Sequence, residues 1–158
     1  MVEYLTPDAI KLLLEKPDKH TPKGRRDLTL ISVLYDSGAR VQELIDIRIC
    51  DVILEATAIM ILHGKGNKIR RVPIIKNTVS LLRSYLAENK LEEHWKNEYP
   101  LFANNQHHKL TRKGVAYIIS KYAESARKIS TIVPPKVKPH MLRHSKAMHL
   151  LQAGVNLI

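Results

Sequence analysis

The period of the apolar residues changes twice along the chain, and this change constrains the fold more than any other feature. Before residue 57, apolar side chains recur every three to four positions, as they do on one side of an α-helix. Residues 57–63 and 68–75 form two short apolar runs of the kind found in strands. The helical period returns from residue 78. The pattern predicts a mainly α domain of the α+β class, with helices and one small antiparallel β-hairpin or sheet.

Cap residues set the limits of the predicted helices. Thr6 and Pro7 predict the start of a first helix. Residues 16–26 are polar and contain prolines, which predicts a loop, and a second helix is predicted over residues 25–35 with Gly38 as its end. Further helices are predicted over residues 41–47, 78–89, 111–128 and 140–152.

The two predicted strands are joined by residues 64–67, whose sequence is Gly-Lys-Gly-Asn. Glycine and asparagine tolerate the positive φ angles of tight hairpin turns, so this tetrapeptide predicts an antiparallel hairpin. Pro73 cannot donate a backbone hydrogen bond, which predicts that the second strand ends there or lies at a sheet edge.

Composition narrows the class of partner. The chain of 158 residues is long enough for one domain. Its formal net charge of +11 fits a nucleic-acid partner, and solubility alone would account for the charge equally well. The single cysteine, Cys50, excludes an internal disulfide and fits a reducing compartment. No leader sequence and no run long enough to cross a bilayer are recognisable, so we expect a cytoplasmic protein without membrane contact.

Two segments place single basic residues where they could reach a ligand. In Ser-Gly-Ala-Arg-Val-Gln-Glu-Leu, Arg40 follows a glycine that ends a helix, and Glu43 could orient its guanidinium. A surface ion pair at a helix start is the alternative interpretation. Lys65 lies at the glycine-flanked hairpin tip, where a three-donor cation could reach a phosphate backbone, or where it could simply keep an exposed turn soluble.

A third segment, residues 139–151, groups histidine and arginine on one helix. His140, Arg143 and His144 share a face at the predicted N-terminus, where backbone N–H groups favour an anion. A zinc pair of His140 and His144 is disfavoured, because the glutamate of the His-Glu-x-x-His motif and a third ligand are not recognisable. For His144 a buried structural role is favoured, and His149 is interpreted as a packed or solvated helix residue.

Taken in order, these motifs resemble the signature of the tyrosine recombinase (phage integrase) family. The motifs are G-A-R-x-x-E-L, G-K-G-N-K-x-R-x-x-P and H-x-L-R-H-S-x-A-x-H-L-L-x-x-G, and the match runs from about residue 37 to residue 154. Gln42 departs from the small residue that is frequent in the first motif. The resemblance implies that residues 1–158 form the catalytic-core fold of this family.

The resemblance also implies residue roles in breaking and rejoining DNA through a 3′-phosphotyrosyl link. Arg40 and Arg143 would hold the two non-bridging phosphate oxygens, and Lys65 would protonate the departing 5′ oxygen. His140 would bind the phosphate or help to take the proton of the nucleophile, and Glu43 would support the cluster. No metal and no other cofactor is implied.

Double-stranded DNA is the implied partner, together with other recombinase protomers in a tetrameric synapse of the full-length protein. The resemblance and the predicted exposed positions point to further candidate DNA contacts at Lys68, Arg70, Thr111, Arg112 and Lys113.

The nucleophilic tyrosine of the family follows the His-x-x-Arg helix. All six tyrosines of this chain precede His140, so we expect the nucleophile to be absent from it and the chain to be inactive alone. Two functions remain open, namely a recombination enzyme domain and a DNA-binding relic or regulator that keeps the fold without the chemistry. An RNA-binding protein is disfavoured, because one phenylalanine and one tryptophan offer little surface for base stacking.

Overall fold

The computed structural model describes residues 3–154. Within this range the chain forms six α-helices and one antiparallel sheet of three strands in the order β1-β2-β3. The helices are α1 (Pro7–Leu14), α2 (Pro22–Ser37), α3 (Val41–Ile45), α4 (Lys76–Glu88), α5 (Arg112–Arg127) and α6 (Pro139–Gln152). The strands are β1 (Val52–Ile53), β2 (Ile59–His63) and β3 (Ile69–Pro73). The predicted α+β class, mainly helical with a small antiparallel sheet, is confirmed.

Helix α2 begins earlier than the sequence pattern predicted. Its first residue is Pro22, and the side chain of Thr21 accepts a hydrogen bond from the Gly24 backbone N–H at 3.0 Å. The assignment of residues 22–24 to a loop was therefore wrong, because the charged residues that follow Thr21 concealed a threonine cap with proline in the first turn. The helix ends at Gly38, whose φ of 65° is a conformation that L side chains rarely adopt. The other predicted boundaries lie within two residues of the observed ones.

The predicted hairpin is present, and a third strand that was not predicted extends it. Strands β2 and β3 pair with Leu62 opposite Arg70. Strand β1 pairs with the other edge of β2, and its two residues are too few to show an alternating pattern. Strand β3 is an edge strand that ends at Pro73, as the missing N–H of proline requires.

Helix α2 is the centre of the core and packs against four of the other helices. It packs against α1, α3, α4 and α6. Its side chains Leu30, Val33 and Leu34 are fully buried, and Met60 and Leu62 of β2 are buried in the same cluster. The carboxyl end of α2, the beginning of α3 and the first turns of α6 therefore meet at one place.

The structure also describes the single cysteine and the apolar character of the helices. Cys50 is an exposed free thiol. Over residues 3–154, no helix is both long enough and apolar enough to cross a membrane.

The burial of α2 predicts an unequal response to the same substitution at two leucines. Leu34→Ala removes a fully buried side chain and should lower the free energy of unfolding by about 2–5 kcal/mol, because it leaves a cavity in the core. Leu151→Ala, at a side chain that is 56% exposed, should cost less than about 1 kcal/mol. Urea unfolding measures both. Equal losses would contradict the assignment of α2 to the centre of the core.

Candidate functional site

A groove of about 910 Å³ lies between α3, the β2–β3 hairpin and the start of α5. Acidic side chains enter it from α3 and its C-cap, namely Glu43 and Asp46. Basic side chains outnumber them and come from three separate parts of the chain. They are Arg40, Lys65, Lys68, Arg70 and Arg112.

The carboxylate of Glu43 organises one end of this groove. Glu43 is buried, with 4% of its surface exposed, and its Oε1 accepts hydrogen bonds from the Arg40 backbone N–H and from Arg70 Nη2, both at 2.8 Å. Its Oε2 accepts a third hydrogen bond from Arg70 Nε at 3.3 Å. Arg143 Nη1 lies 3.8 Å from Oε1. One carboxylate thus joins the start of α3, strand β3 and helix α6.

The electrostatics of this cluster favour an additional anion. Burial raises the pKa of Glu43, but hydrogen bonds from Arg70 and from the Arg40 backbone, with the charges of Arg70 and Arg143, lower it overall to below 4.5. The pKa of Arg143 is lowered by burial and then by the like charges of Arg40 and Arg70, with a partial offset from Glu43. Three guanidinium charges against one carboxylate leave an excess of two positive charges, which an anion would relieve.

Arg143 has a support of its own. Its Nη1 donates a hydrogen bond to the backbone oxygen of Gly38 at 2.7 Å, and the residue is half-buried. Gly38 ends α2 two residues before Arg40. The end of α2 therefore sets both the backbone position of Arg40 and the direction of the Arg143 guanidinium.

The structure places the predicted catalytic residues as follows. Arg40 and Arg143 lie together around Glu43, and Lys65 is exposed on the hairpin tip that borders the same groove. His140 is exposed in the first turn of α6, one turn before Arg143, so the two residues share a helix face. Their roles in chemistry remain predictions.

The predicted DNA contacts divide into two groups. Lys68, Arg70 and Arg112 line the groove, and Lys113 is exposed at the start of α5. Thr111 already uses its hydroxyl as a cap for α5, because it accepts a hydrogen bond from the Gly114 N–H at 3.0 Å.

Several polar contacts at the groove were not predicted from the sequence. The residue that departs from the family pattern, Gln42, accepts a hydrogen bond from Arg112 Nε at 2.9 Å and donates to both carboxylate oxygens of Asp46. Asp46 also accepts from Lys109 Nζ at 2.7 Å. Arg112 and Gln42 are 70 residues apart and Lys109 and Asp46 are 63 apart, so no local motif could have paired them.

The other histidines of α6 are packing residues. His149 is half-buried, with its Nδ1 2.6 Å from the Tyr35 hydroxyl oxygen and its Nε2 donating to the Leu5 backbone oxygen at 2.7 Å. His144 is half-buried and meets the Tyr4 ring edge-on, with 5.7 Å between the ring centroids. Over residues 3–154, no group of three or more metal-ligating side chains is positioned to hold an ion.

All six tyrosines lie within the described part of the chain, and none of them lines the groove. They are Tyr4, Tyr35, Tyr85, Tyr99, Tyr117 and Tyr122. The Tyr85 hydroxyl donates to the Leu101 backbone oxygen at 2.7 Å, and burial raises its pKa to about 12. The Tyr85 hydroxyl is therefore committed to a structural hydrogen bond outside the groove.

The fold belongs to a known class. The family model described as the phage integrase family matches residues 3–158, and the chain belongs to this family. The predicted family and the predicted catalytic-core fold are therefore confirmed.

Individual relatives agree with this assignment. Tyrosine recombinase XerD of Listeria innocua is 36% identical over 158 residues, which cover 98% of this chain and 51% of the relative. Tyrosine recombinase XerC of Staphylococcus haemolyticus is 32% identical over 155 residues, which cover 98% of this chain and 50% of the relative. The chain spans about half the length of these relatives.

Solved structures give the same result. A XerA recombinase superposes with a TM-score of 0.82 at 32% identity, over 99% of this chain and 52% of that one. The XerH site-specific recombinase bound to its palindromic difH substrate superposes with a TM-score of 0.76 at 29% identity, over 96% of this chain and 43% of that one.

The lowered pKa of Glu43 predicts a pH-dependent contribution to stability. Because the pKa is lower in the folded state than the ordinary value of 4.5, the stabilisation is fully present above that value and is lost as the pH falls through the folded pKa. Glu43→Gln should lower the free energy of unfolding by about 1–3 kcal/mol at pH 7, and the difference from the parent should shrink below pH 4.5. Urea unfolding at several pH values measures this.

The matched control is Glu92→Gln, which removes one carboxylate from an exposed loop position. It should change the stability little at any pH. A Glu43→Gln deficit that stays constant between pH 7 and pH 3 would contradict the ionised, arginine-bound carboxylate.

Proposed function

We propose that this chain is the catalytic domain of a site-specific DNA recombinase that cleaves and rejoins DNA strands through a 3′-phosphotyrosyl intermediate. The observation that carries the proposal is the cluster of Arg40, Arg70 and Arg143 around buried Glu43, at the edge of a groove with excess positive charge. Family membership supports the same reaction class.

Arg40 and Arg143 bind the two non-bridging oxygens of the scissile phosphate. Arginine suits this role because it stays charged and its planar fork matches two oxygens. Negative charge grows on these oxygens in the transition state, so two guanidinium groups already in place stabilise it more than the ground state. The Gly38 backbone oxygen anchors the guanidinium of Arg143, and Glu43 holds the backbone N–H of Arg40. The same pair acts in cleavage and in rejoining, since one reaction is the reverse of the other.

Lys65 and His140 are the proposed proton-transfer residues. When the tyrosine oxygen bonds to phosphorus, the bond from phosphorus to the 5′ oxygen breaks, and Lys65 Nζ gives that oxygen its proton. His140, exposed at the first turn of α6, binds the phosphate or takes the proton of the nucleophile. No metal and no cofactor takes part in this scheme, because the covalent link keeps the energy of the phosphodiester for the rejoining step.

The nucleophilic tyrosine is supplied from outside these 158 residues. The support for this is the position of the six tyrosines, none of which lines the groove that contains Arg40 and Lys65. The chain alone is therefore inactive in strand cleavage.

Duplex DNA is the proposed partner, and other recombinase protomers join it in a tetrameric synapse of the full-length protein. The formal charge of +11 supports phosphate contacts, and the XerH relative was solved with its DNA substrate. Lys68, Arg112 and Lys113 are proposed to contact the backbone beside the cleaved phosphate. Because its proposed substrate is DNA, the protein is proposed to act in the cytoplasm.

A second candidate function is a DNA-binding relic or regulator that has kept the fold without the chemistry. The groove without a tyrosine is the observation that favours it. DNA binding of this kind requires the positive charge of the groove but does not require Lys65 to donate a proton.

The proposed reaction predicts a covalent protein–DNA complex. The natural protein that contains this chain, incubated with a nicked duplex carrying a site selected from a random-sequence library, should give an adduct on a denaturing gel. Arg143→Ala should slow adduct formation by roughly a hundredfold or more, because it removes an anion contact of the transition state. Replacing the nucleophilic tyrosine by phenylalanine should abolish it.

Arg83→Ala is the matched control, since Arg83 is an exposed arginine of α4 whose Nη2 donates to the Leu54 backbone oxygen. It should leave the rate close to that of the parent. An adduct formed by the 158-residue chain alone would contradict the proposed position of the nucleophile. A protein that binds its selected site and never cleaves it would favour the relic or regulator.

A further inference from the structure

Arg70 makes a two-point contact with Glu43. Its Nη2 donates to Oε1 at 2.8 Å and its Nε donates to Oε2 at 3.3 Å, so the planar guanidinium lies against the planar carboxylate. Glu43 is buried, whereas 40% of the Arg70 side chain is exposed. The contact therefore fixes the orientation of a buried carboxylate from the open side of the groove.

Glu43 also lies beside the end of the other strand of the hairpin. Gly64 directly follows β2, and a Cβ atom added there would lie 3.4 Å from Glu43 Oε2. Gly64 and Lys68 close the base of the tip, because the Gly64 N–H donates to the Lys68 backbone oxygen at 2.7 Å. The carboxylate is thus bonded to β3 through Arg70 and lies close to Gly64 at the end of β2.

The hairpin tip itself is exposed from Lys65 to Ile69. Gly66 and Asn67 have φ angles of 70° and 60°, so the turn is a tight one whose direction depends on the base of the hairpin. Lys65 lies one residue beyond Gly64, and its Nζ can be held near the scissile phosphate only if that base keeps its place.

We infer that Arg70 is a positioning residue for the proposed general acid. It holds the base of the hairpin to Glu43, and through Glu43 to the backbone N–H of Arg40, so that Lys65 stays at a fixed place relative to the phosphate-binding arginines. This inference rests on the proposed function and concerns the same site.

Arg143 does not depend on this contact in the same way. Its guanidinium is anchored by the hydrogen bond to the Gly38 backbone oxygen at 2.7 Å, whereas its distance to Glu43 is 3.8 Å. Loss of Arg70 therefore affects the step that needs Lys65 more than the binding of the non-bridging oxygens.

A change of leaving group separates these two effects. In a substrate with sulfur in place of the bridging 5′ oxygen, the bond from phosphorus to sulfur breaks and a thiolate leaves. A thiol is a much stronger acid than an alcohol, with a pKa of about 8.5 for a cysteine side chain, so the sulfur needs no proton from Lys65. The oxygen and sulfur substrates are compared in single-turnover cleavage by the natural protein that contains this chain.

Arg70→Gln should slow cleavage of the oxygen substrate by roughly a hundredfold, the scale of a misplaced catalytic group, and should cleave the sulfur substrate almost as fast as the parent. Lys65→Ala should show the same pattern, and Arg143→Ala should be slow on both substrates. Arg70→Lys keeps the charge but cannot form the two-point contact, so it should behave like Arg70→Gln. Arg71→Gln removes an exposed arginine from the neighbouring position of β3 and should leave the ratio of the two rates unchanged.

A second readout needs no catalysis. In the 158-residue chain, Arg70→Gln should accelerate hydrogen exchange at the Gly64 amide, while Arg71→Gln should not. An unchanged exchange rate of the Gly64 amide in Arg70→Gln would show that Arg70 does not hold the base of the hairpin, and would overturn the inference.

The remaining outcomes separate the inference from the proposed function. If Arg70→Gln is equally slow on both substrates, or as fast as the parent on both, the positioning role is overturned and the recombinase activity stands. A parent protein that cleaves neither substrate would overturn the proposed function, and the positioning role with it.

Discussion

The burial of a single carboxylate, that of Glu43, determines how one end of the groove is arranged. A buried charge must be compensated, and here the compensation comes from a backbone N–H at the start of α3, a guanidinium on β3 and a guanidinium on α6. These partners are 3, 27 and 100 residues away from Glu43 in the chain. The compensation of one charge therefore joins two distant segments, β3 and α6, to the start of α3.

The hydrophobic core makes this convergence possible. Helix α2 packs on α3, α4 and α6, and its end at Gly38 supplies both the turn into Arg40 and the carbonyl that Arg143 binds. The core thus fixes the backbone around the cluster and, through Gly38, the direction of Arg143, while Glu43 fixes the direction of Arg70. The excess of positive charge that remains is the property on which the proposed phosphate chemistry depends.

The sequence predicted the parts of the molecule that have local signals. Gly38, the Gly-Lys-Gly-Asn turn and the change of period predicted the helix end, the hairpin and the mainly helical class, and the motif order predicted the family. The start of α2 was predicted wrongly because charged residues concealed the cap at Thr21, and β1 was too short to show a period. The bidentate contact of Arg70 and the bridge from Gln42 to Arg112 join residues 27 and 70 positions apart, so only the tertiary fold reveals them.

The phosphate chemistry depends above all on whether Arg40 and Arg143 form one anion site. Inorganic phosphate titrated into the 158-residue chain, followed by the Nε–Hε resonances of the arginine side chains, should shift Arg40 and Arg143 together with one dissociation constant. In Arg40→Gln the shift of Arg143 should be lost or strongly weakened. Shifts spread evenly over exposed arginines such as Arg83, or an Arg143 that titrates unchanged without Arg40, would contradict the shared site.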